Sequence, residues 1–435
     1  MMSDQVAVFW FRRDLRLEDN VGLHHALSSG LPVLPIFIFD TDILNQLEDP
    51  NDRRVDYIHQ TLTAIHARLK QHRSALNTYH GAPLDVFKEI TQKYAVRAVY
   101  CNRDYEPKAI KRDKALQAHL QENSIGFYDF KDQVIFERSE ILKSDGHPYT
   151  VFTPYANKWK TELTDAHYAP APVSFAGFYQ SHATEIHSLP AIGFQKTDMV
   201  FQQPELDIAV IKDYHQYRDF PAHDHTTRLG TALRFGTISI RKCVSFALQH
   251  SETWLSELIW REFFMQILYH YPHVVNNCFK TRYESIAWLN NEADFKRWCN
   301  GTTGYPIVDA GMRQLNETGF MHNRVRMIVA SFLCKHLLID WRWGEAYFAQ
   351  KLVDYELSSN NGNWQWAAGC GCDAAPYFRI FNPTAQTLKF DKDLRYIKRW
   401  NPNYEQGIDA PIVQHEMARK RALDAYRKAL QETKI

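Results

Sequence analysis

The chain has 435 residues, of which 45% are hydrophobic and 23% charged, a composition that fits a globular protein and excludes a disordered or fibrous one. Its 51 basic and 50 acidic residues exclude a uniformly basic surface. The charges are unevenly placed, because residues 201–435 hold 29 basic and 25 acidic side chains while residues 1–200 hold 22 and 25. We therefore expect the C-terminal half to bind anions.

The first 130 residues alternate short apolar runs with helical patterns. Three runs predict buried strands and two patterns predict helices: 6–10, 33–39 and 96–101, then 54–72 and 107–122. This βαβ alternation predicts an α/β domain over residues 1–130, a doubly wound parallel sheet with helices on both faces. A ligand of such a sheet would lie at the carboxyl ends of the strands. Neither the glycine fingerprint of a Rossmann fold nor a P-loop occurs in the chain.

Residues 131–200 are rich in Pro, His and aromatic residues and predict a long irregular connector. From residue 201 onward the pattern is helical, and nine of the 11 tryptophans lie there. The candidate helices are 205–220, 237–249, 252–271, 292–299, 306–318, 321–339, 343–354 and 414–432. We expect an all-helical second domain over residues 201–435.

One predicted helix combines an acid and a base with aromatic residues on one broad face. Its members are Trp254, Glu257, Trp260, Arg261 and Phe264. Two interpretations explain this pattern equally well. The face contacts a ligand, or the helix is an ordinary amphipathic helix with an internal Glu/Arg pair.

The helix predicted over 321–339 has a polar stripe beside its apolar face. The stripe consists of Asn323, Arg326, Met327 and Ala330. It suits a helix that faces a cofactor or a cavity, and a solvated face is the alternative.

The segment Asp354–Trp366 follows neither a helix nor a strand period. It holds two carboxylates, three asparagines, one glycine and two tryptophans. We interpret it as a loop that approaches a ligand closely, with a structural turn as the alternative. Cys370-Gly371-Cys372 lacks the further ligands that zinc requires, so we expect no metal site. The seven cysteines are odd in number and scattered, so they do not predict a disulfide framework, and we expect a cytoplasmic protein. No run reaches the roughly 18 apolar residues of a membrane span, so we expect no membrane partner.

Four blocks resemble signature motifs of the photolyase/cryptochrome family: Trp10–Asn20, Gly304–Leu315, Met321–Met327 and Asn360–Trp366. Within the family they are most similar to the class I cyclobutane pyrimidine dimer photolyases. The resemblance implies an α/β antenna domain, a connector and a helical domain that binds FAD in a folded conformation. It implies DNA containing cyclobutane pyrimidine dimers as substrate, and a carbon–carbon lyase reaction in which reduced, anionic FAD excited by blue light donates an electron to the dimer.

The resemblance also implies a set of FAD contacts. These are Tyr214, Thr226, Thr227, Arg228, Leu229, Gly230, Trp254, Arg261, Arg326, Asp354, Glu356 and Asn360. Arg326 and Asp354 correspond to an ion pair beside the isoalloxazine ring. The chain departs from the family at His225, Thr227 and Gly230 in the phosphate-binding segment, and at Glu356, where the family usually has Asp.

Asn360 corresponds to the residue that faces flavin N5. A neutral amide there cannot readily protonate N5, whereas plant-type cryptochromes have an Asp, so the residue favours repair over the alternative of a blue-light receptor. The implied substrate and DNA contacts are Glu257, Trp260, Asn323, Met327 and Trp366, together with Arg218 and Arg324 at phosphates. The related (6-4) enzymes carry His in place of Asn323 and Met327, which favours cyclobutane dimers.

Three tryptophans, Trp364, Trp341 and Trp288, correspond to the relay that reduces oxidised flavin from the surface. The antenna region reads Tyr105-Glu106-Pro107-Lys108-Ala109 and lacks the carboxylate expected for folate. A deazaflavin, a flavin, a folate or no second chromophore therefore stay open. We expect the protein to act as a monomer.

Overall fold

The computed structural model of the chain describes residues 5–181, 185–405 and 410–432. It divides into two compact units that interleave along the sequence. Unit 1 consists of Met1–Glu137, Glu162–Leu206 and Leu229–Gln249, and unit 2 of Arg138–Thr161, Asp207–Arg228 and His250–Ile435.

Five parallel strands form the sheet of unit 1 in the order β3-β2-β1-β4-β5. The strands are β1 (Gln5–Phe11), β2 (Val33–Asp40), β3 (Asn77–Gly81), β4 (Ala95–Asn102) and β5 (Gly126–Phe130). Successive side chains of β1 enter different cores, since Phe9 packs in one hydrophobic cluster and Trp10 in the other. The predicted doubly wound sheet is confirmed, because helices supply the outer half of both clusters.

The sequence pattern predicts the three central strands but not the two edge strands. β3 and β5 read Asn-Thr-Tyr-His-Gly and Gly-Phe-Tyr-Asp-Phe, and most of their residues are half-buried. Edge strands pair on one side only, so they need no continuous apolar run.

Helices account for most of the remaining described residues. In the first half of the chain they are α1 (Val21–Leu27), α2 (Thr41–Leu44), α3 (Arg53–Lys70), α4 (Pro83–Lys93), α5 (Pro107–Glu122), α6 (Phe152–Glu162), α7 (Asp165–Tyr168), α8 (Ile208–Lys212) and α9 (Tyr214–Tyr217). They continue with α10 (Gly230–Phe235), α11 (Ile240–His250), α12 (Glu252–His270), α13 (Glu292–Cys299), α14 (Pro306–Thr318), α15 (Asn323–Ser331), α16 (Trp341–Lys351), α17 (Leu357–Ala368), α18 (Pro383–Phe390), α19 (Arg395–Trp400) and α20 (His415–Glu432).

Short 3₁₀ segments and one π segment complete the described elements. The 3₁₀ segments are Phe175–Gly177, Pro190–Ile192, Pro221–His223, Pro272–Val275 and Thr281–Tyr283, and the π segment is Phe332–His336. The π segment ends the helix that the sequence predicts to run on to residue 339. The residues predicted as an irregular connector include α6 and α7, and the helix predicted over 205–220 is two short helices, α8 and α9.

Candidate functional site

A cavity of about 610 Å³, including the open space at its mouth, lies among α15, α16 and α17 of unit 2. Eight of the residues predicted from the sequence line it: Asn323, Arg326, Met327, Asp354, Glu356, Asn360, Trp364 and Trp366. The cavity is therefore built from two segments that lie about 30 residues apart in the chain.

The polar stripe of α15 faces this cavity. Asn323, Arg326, Met327 and Ala330 all belong to its lining, so the cavity-facing interpretation is confirmed and the solvated face is not observed. The opposite side of α15 is apolar and fully buried. His322 is the N-cap of the helix, and its Nδ1 accepts a hydrogen bond from the backbone N–H of Arg324 at 3.2 Å.

The loop predicted for Asp354–Trp366 is wrong, because residues 357–368 form α17. Glu356 is the N-cap, and its carboxylate accepts the backbone N–H of Ser359 at 3.0 Å. Asn, Ser and Gly are poor helix formers, which is why the pattern predicted a loop. Tertiary packing stabilises the helix instead, because seven of its twelve residues are buried.

Two glycines let α17 approach its neighbours. A Cβ atom on Gly362 would lie 2.1 Å from the Phe264 ring of α12, and one on Gly344 of α16 would lie 2.1 Å from the Trp364 ring. Such distances are far below van der Waals contact. Glycine is therefore required at both positions for the helices that surround the cavity to pack.

Arg326 and Asp354 form the ion pair that the sequence predicts. Arg326 Nη2 donates to Asp354 Oδ2 at 2.8 Å, and its Nε donates to the Met321 carbonyl at 2.7 Å. Asp354 Oδ1 is buried and has no hydrogen-bond partner among the described residues. The cavity wall thus holds a guanidinium beside a carboxylate oxygen that can still accept a hydrogen bond.

The Asn360 amide has its orientation fixed by Glu345 of α16. Asn360 Nδ2 donates to Glu345 Oε1 at 2.9 Å and to the Glu345 carbonyl at 3.1 Å. Both partners are acceptors, so the amide nitrogen must point toward Glu345. Burial raises the pKa of Glu345, and the hydrogen bond from Asn360 partly opposes that shift.

Glu257 of α12 is paired with a cation. Arg218 Nη1 donates to Glu257 Oε1 at 2.6 Å, and the Arg218 guanidinium lies 5.5 Å from the centre of the Tyr214 ring. Burial raises the pKa of Glu257, while the charge of Arg218 lowers it. The family resemblance implies that Arg218 contacts DNA phosphates, and in this structure its partner is the carboxylate of Glu257.

Trp260 lies on the same helix and is stacked on Phe152. The two ring centres are 3.7 Å apart and the rings are nearly parallel, at 6°. Phe263 contacts both rings edge-on. One face of the Trp260 indole is therefore occupied by the protein and held in place.

The predicted FAD contacts outside the cavity are distributed over both units. Thr226, Thr227 and Arg228 belong to unit 2, and Arg228 pairs with Asp224. Leu229 and Gly230 belong to unit 1, where α10 begins. Trp254 is buried and Arg261 half-buried on α12. The roles of these residues remain predictions.

The three relay tryptophans differ in their surroundings. Trp364 contacts Trp298 and Phe348 edge-on, at 6.1 and 5.0 Å between ring centres. Trp341 is buried, and its Nε1 has no acceptor among the described residues. Trp288 is half-buried and meets Tyr426 edge-on at 6.0 Å. Their role as a relay remains a prediction.

Three neighbours of the predicted site residues were missed: Glu345, Phe152 and Asp219. Glu345 orients Asn360, Phe152 supports Trp260, and Asp219 accepts a hydrogen bond from Arg324 at 2.6 Å. Each lies on a different element from the residue it contacts, at least 15 residues away in the chain. No pattern of local spacing could have identified these pairs.

In unit 1, charged side chains fill the carboxyl end of β1. The guanidinium groups of Arg12 and Arg112 lie 4.9 and 4.8 Å from the centre of the Trp10 ring. Both pair with Asp113, at 2.6 and 3.0 Å. This is the edge at which the sequence predicts a ligand of the sheet.

Over residues 5–181, 185–405 and 410–432, no helix has the length and apolarity of a membrane span. The same residues contain no group of three or more His, Cys, Asp or Glu side chains arranged to hold a metal ion.

Two family models match the chain. Residues 7–174 match the family model described as DNA photolyase, and residues 254–410 match the FAD binding domain of DNA photolyase. The chain is 37% identical over 463 residues to a deoxyribodipyrimidine photo-lyase of Synechococcus sp. (strain ATCC 27144 / PCC 6301 / SAUG 1402/1), covering 95% of this chain and 94% of the relative.

Two solved structures are similar over nearly the whole chain. A bacterial class III photolyase from Agrobacterium tumefaciens superposes with a TM-score of 0.87 at 32% identity, covering 99% of both chains. An archaeal photolyase from Sulfolobus tokodaii, solved with two FAD molecules, gives a TM-score of 0.83 at 34% identity and covers 97% of this chain and 99% of that one.

Proposed function

Because the chain belongs to the DNA photolyase family, we propose that the cavity among α15, α16 and α17 holds the isoalloxazine ring of FAD. The protein is a light-dependent DNA repair enzyme that uses FAD. We assign its reaction as the splitting of cyclobutane pyrimidine dimers. The observation that carries the assignment is the convergence of the Arg326–Asp354 ion pair, Asn360 and Trp366 on one cavity.

The polar atoms of the cavity fit a flavin ring. A buried carboxylate oxygen without a partner, such as Asp354 Oδ1, is costly unless a ligand donates to it. An isoalloxazine ring carries N–H donors and carbonyl acceptors along one edge. Asp354 would receive the donor, and Arg326 would donate to an acceptor.

We propose that the bound flavin is reduced and anionic in the active protein. The Arg326 guanidinium can hydrogen-bond an anion at the cavity, although the carboxylate of Asp354 offsets its charge. Asn360 has its amide nitrogen bound to Glu345, so it offers the cavity a carbonyl oxygen and no proton. When bound in this state and excited by blue light, the flavin supplies the electron that opens the cyclobutane ring and takes it back afterwards.

The lesion is proposed to lie between Trp260 and Trp366. Stacking of a base on an aromatic side chain contributes roughly 1–3 kcal/mol, and a kinked dimer costs less to extrude than a normal base pair. Phe152 covers one face of Trp260, so the opposite face is the one proposed for the dimer. Asn323 and Met327 would complete the pocket.

Glu257 is proposed to hydrogen-bond the dimer. Burial raises its pKa, so the carboxyl binds a proton more readily than an exposed glutamate does. In its protonated form it can donate to a carbonyl of the dimer. Arg218 keeps the side chain positioned until the lesion enters.

We place any second chromophore at unit 1. Its parallel sheet would bind a ligand at the carboxyl ends of β1 and β4, where the strand order reverses. The Sulfolobus tokodaii photolyase was solved with two FAD molecules, which supports a flavin among the three classes left open. Extraction of the purified protein and chromatography of the released chromophores would distinguish a flavin, a deazaflavin and a folate.

We also propose that the protein acts as a cytoplasmic monomer. The seven cysteines are odd in number and scattered along the chain, and the whole cavity lining belongs to a single unit of one chain. Light scattering after size-exclusion chromatography should give the mass of one chain, with and without DNA.

Illumination of the reduced protein with an oligonucleotide that contains one dimer tests the proposed function. The wild-type protein should restore the intact pyrimidines in blue light and leave them dimerised in the dark. Trp366→Leu should lose most of its affinity for the dimer. Trp400→Leu is the matched control, since this half-buried indole of α19 does not line the cavity. Equal affinity of the two variants for the dimer would refute the proposed lesion site.

A further inference from the structure

A chain of four alternating charges lies at the proposed lesion site. Glu257 is bound by Arg218 at 2.6 Å, and Arg324 Nη2 is bound by Asp219 Oδ1 at 2.6 Å. Arg218 Nε also lies 4.0 Å from Asp219 Oδ1, which connects the two pairs. Two carboxylates and two guanidinium groups give the chain a net charge of zero.

The four side chains come from three elements of unit 2. Arg218 and Asp219 follow α9 directly, Glu257 is in α12, and Arg324 is in the first turn of α15. The Asp219 side chain is 39% exposed, whereas that of Arg324 is 17% exposed. Asp219 is therefore the member of this pair that solvent and DNA reach more easily.

Arg324 is oriented independently of its carboxylate partner. Its guanidinium lies 4.4 Å from the centre of the Phe390 ring, and its Nε has no hydrogen-bond partner among the described residues. A guanidinium carries five N–H donors, so Asp219 satisfies only part of its capacity. Removing Asp219 would leave a pre-oriented cation beside the proposed lesion pocket.

We propose that Asp219 is a specificity-determining residue that keeps Arg324 neutralised until a lesion is bound. Undamaged DNA then approaches a charge cluster that is neutral overall, so its phosphates are not attracted to Arg324. A dimer stacked on Trp260 brings its distorted backbone close enough for a phosphate to replace Asp219 at Arg324. The Asp219 carboxylate thus disfavours the binding of undamaged DNA. Disfavouring the wrong ligand is one general route to specificity, and improving the contacts to the correct ligand is the other. This inference rests on the proposed lesion site.

The salt dependence of DNA binding measures this role directly. Each phosphate neutralised by a protein cation adds about 0.9 to the slope of log affinity against log salt. Asp219→Asn keeps the shape of the side chain and removes its charge. For undamaged duplex, the slope of log affinity against log salt should become steeper by about 0.9 in Asp219→Asn. The affinity for undamaged duplex should rise roughly three- to tenfold at low salt. The slope for dimer-containing duplex should stay close to that of the wild type, so discrimination falls.

Two variants control the experiment. Asp424→Asn removes the same charge from α20, where Asp424 pairs with Arg427 at 3.0 Å, and should leave both slopes unchanged. Asp219→Glu restores the carboxylate and should restore discrimination. A purely structural role of Asp219 would lower stability in Asp219→Asn without steepening the slope for undamaged DNA.

Arg324→Gln provides a second, independent test, and it serves alone if Asp219→Asn does not fold. It should reduce the slope by about 0.9 for dimer-containing duplex only. Unchanged slopes and unchanged discrimination in variants that retain FAD absorbance and repair would overturn the inference. Failure of the lesion site itself would be seen separately, as dimer affinity that does not depend on Trp366.

Discussion

Glu345 accepts two hydrogen bonds from the Asn360 amide nitrogen, on its carboxylate at 2.9 Å and on its backbone carbonyl at 3.1 Å. The two residues lie on neighbouring helices, α16 and α17. This contact decides which end of the amide faces the cavity. The orientation of Asn360 therefore depends on Glu345, which lies outside the sequence motif that contains Asn360.

Asn360→Asp should therefore change the flavin environment through a pair of carboxyl groups. Two carboxylates at hydrogen-bond distance cannot both ionise, so the pair should keep one proton well above the usual pKa of either group. That proton would be available at the cavity, and the absorbance spectrum of the photoreduced protein should change. The double variant Asn360→Asp/Glu345→Gln removes the repulsion and should reverse much of the effect. A spectrum that is unchanged in Asn360→Asp at every pH would contradict the assignment of this residue.

Trp341→Phe should slow photoreduction of oxidised flavin and spare repair by protein reduced beforehand. Phe keeps an aromatic ring at the buried site and does not lose an electron as readily as an indole. Trp343→Phe is the matched control, because this indole is on the same helix and packs edge-on against Phe295 at 5.2 Å. Time-resolved absorbance after a light flash measures both reactions. If Trp341→Phe slows repair as much as photoreduction, the relay role is wrong.

Phe152→Leu should weaken binding of dimer-containing DNA. The parallel stack on Trp260 is worth about 0.5–1.5 kcal/mol, which corresponds to roughly a two- to tenfold loss of affinity if it holds the indole in place. Phe152→Tyr keeps the ring and should bind like the wild type. Fluorescence anisotropy with dimer-containing and undamaged oligonucleotides measures both. A loss of equal size on undamaged DNA would show that Phe152 does not act through the lesion site.

Gly344→Ala should destabilise the helical unit and lower its FAD content. The added methyl group would lie 2.1 Å from the Trp364 ring, and overpacking of this kind costs about 1–3 kcal/mol. Ala346→Ser changes an exposed position of the same helix and is the control. Thermal unfolding, together with the ratio of flavin to protein absorbance, checks the result. Unaltered stability of Gly344→Ala would mean that α16 and α17 can separate without cost.

Lys335 should make stability depend on pH. This lysine is 1% exposed, donates to the Ala368 carbonyl at 2.8 Å and lies 3.7 Å from the centre of the Tyr426 ring. Burial lowers its pKa to about 7. Between that value and its unfolded pKa of about 10.4, the unfolded chain binds more protons, so stability should rise with pH.

The comparison of wild type with Lys335→Met isolates this effect. The difference in the free energy of unfolding should grow in favour of the wild type by up to about 1.4 kcal/mol per pH unit above pH 7. It should be flat below pH 6, where lysine is protonated in both states. Urea unfolding across pH 6–9 measures it, and a flat difference over the whole range would contradict a neutral buried amine.

The fold could be predicted wherever a segment is buried on a regular face. The central strands contain long apolar runs, and α14 matches its predicted bounds because its apolar residues recur at helical spacing. The strands β3 and β5 were not predicted, because these edge strands are half-exposed and lack a continuous apolar run. The helix α17 was not predicted because its buried Asn residues and half-buried Gly362 follow no amphipathic period, although Gly362 is what allows its close packing.

The sequence by itself predicted side chains that line the cavity, because the motifs and the polar stripe identify Arg326, Asp354, Asn360 and Met327 without reference to any partner. Only the tertiary structure decided how the predicted groups are oriented. Glu345 contacts Asn360 and Asp219 contacts Arg324 from other elements, and no local period encodes such contacts. Orientation, charge state and access depend on distances between residues far apart in the chain. Those distances are fixed only when the helices pack.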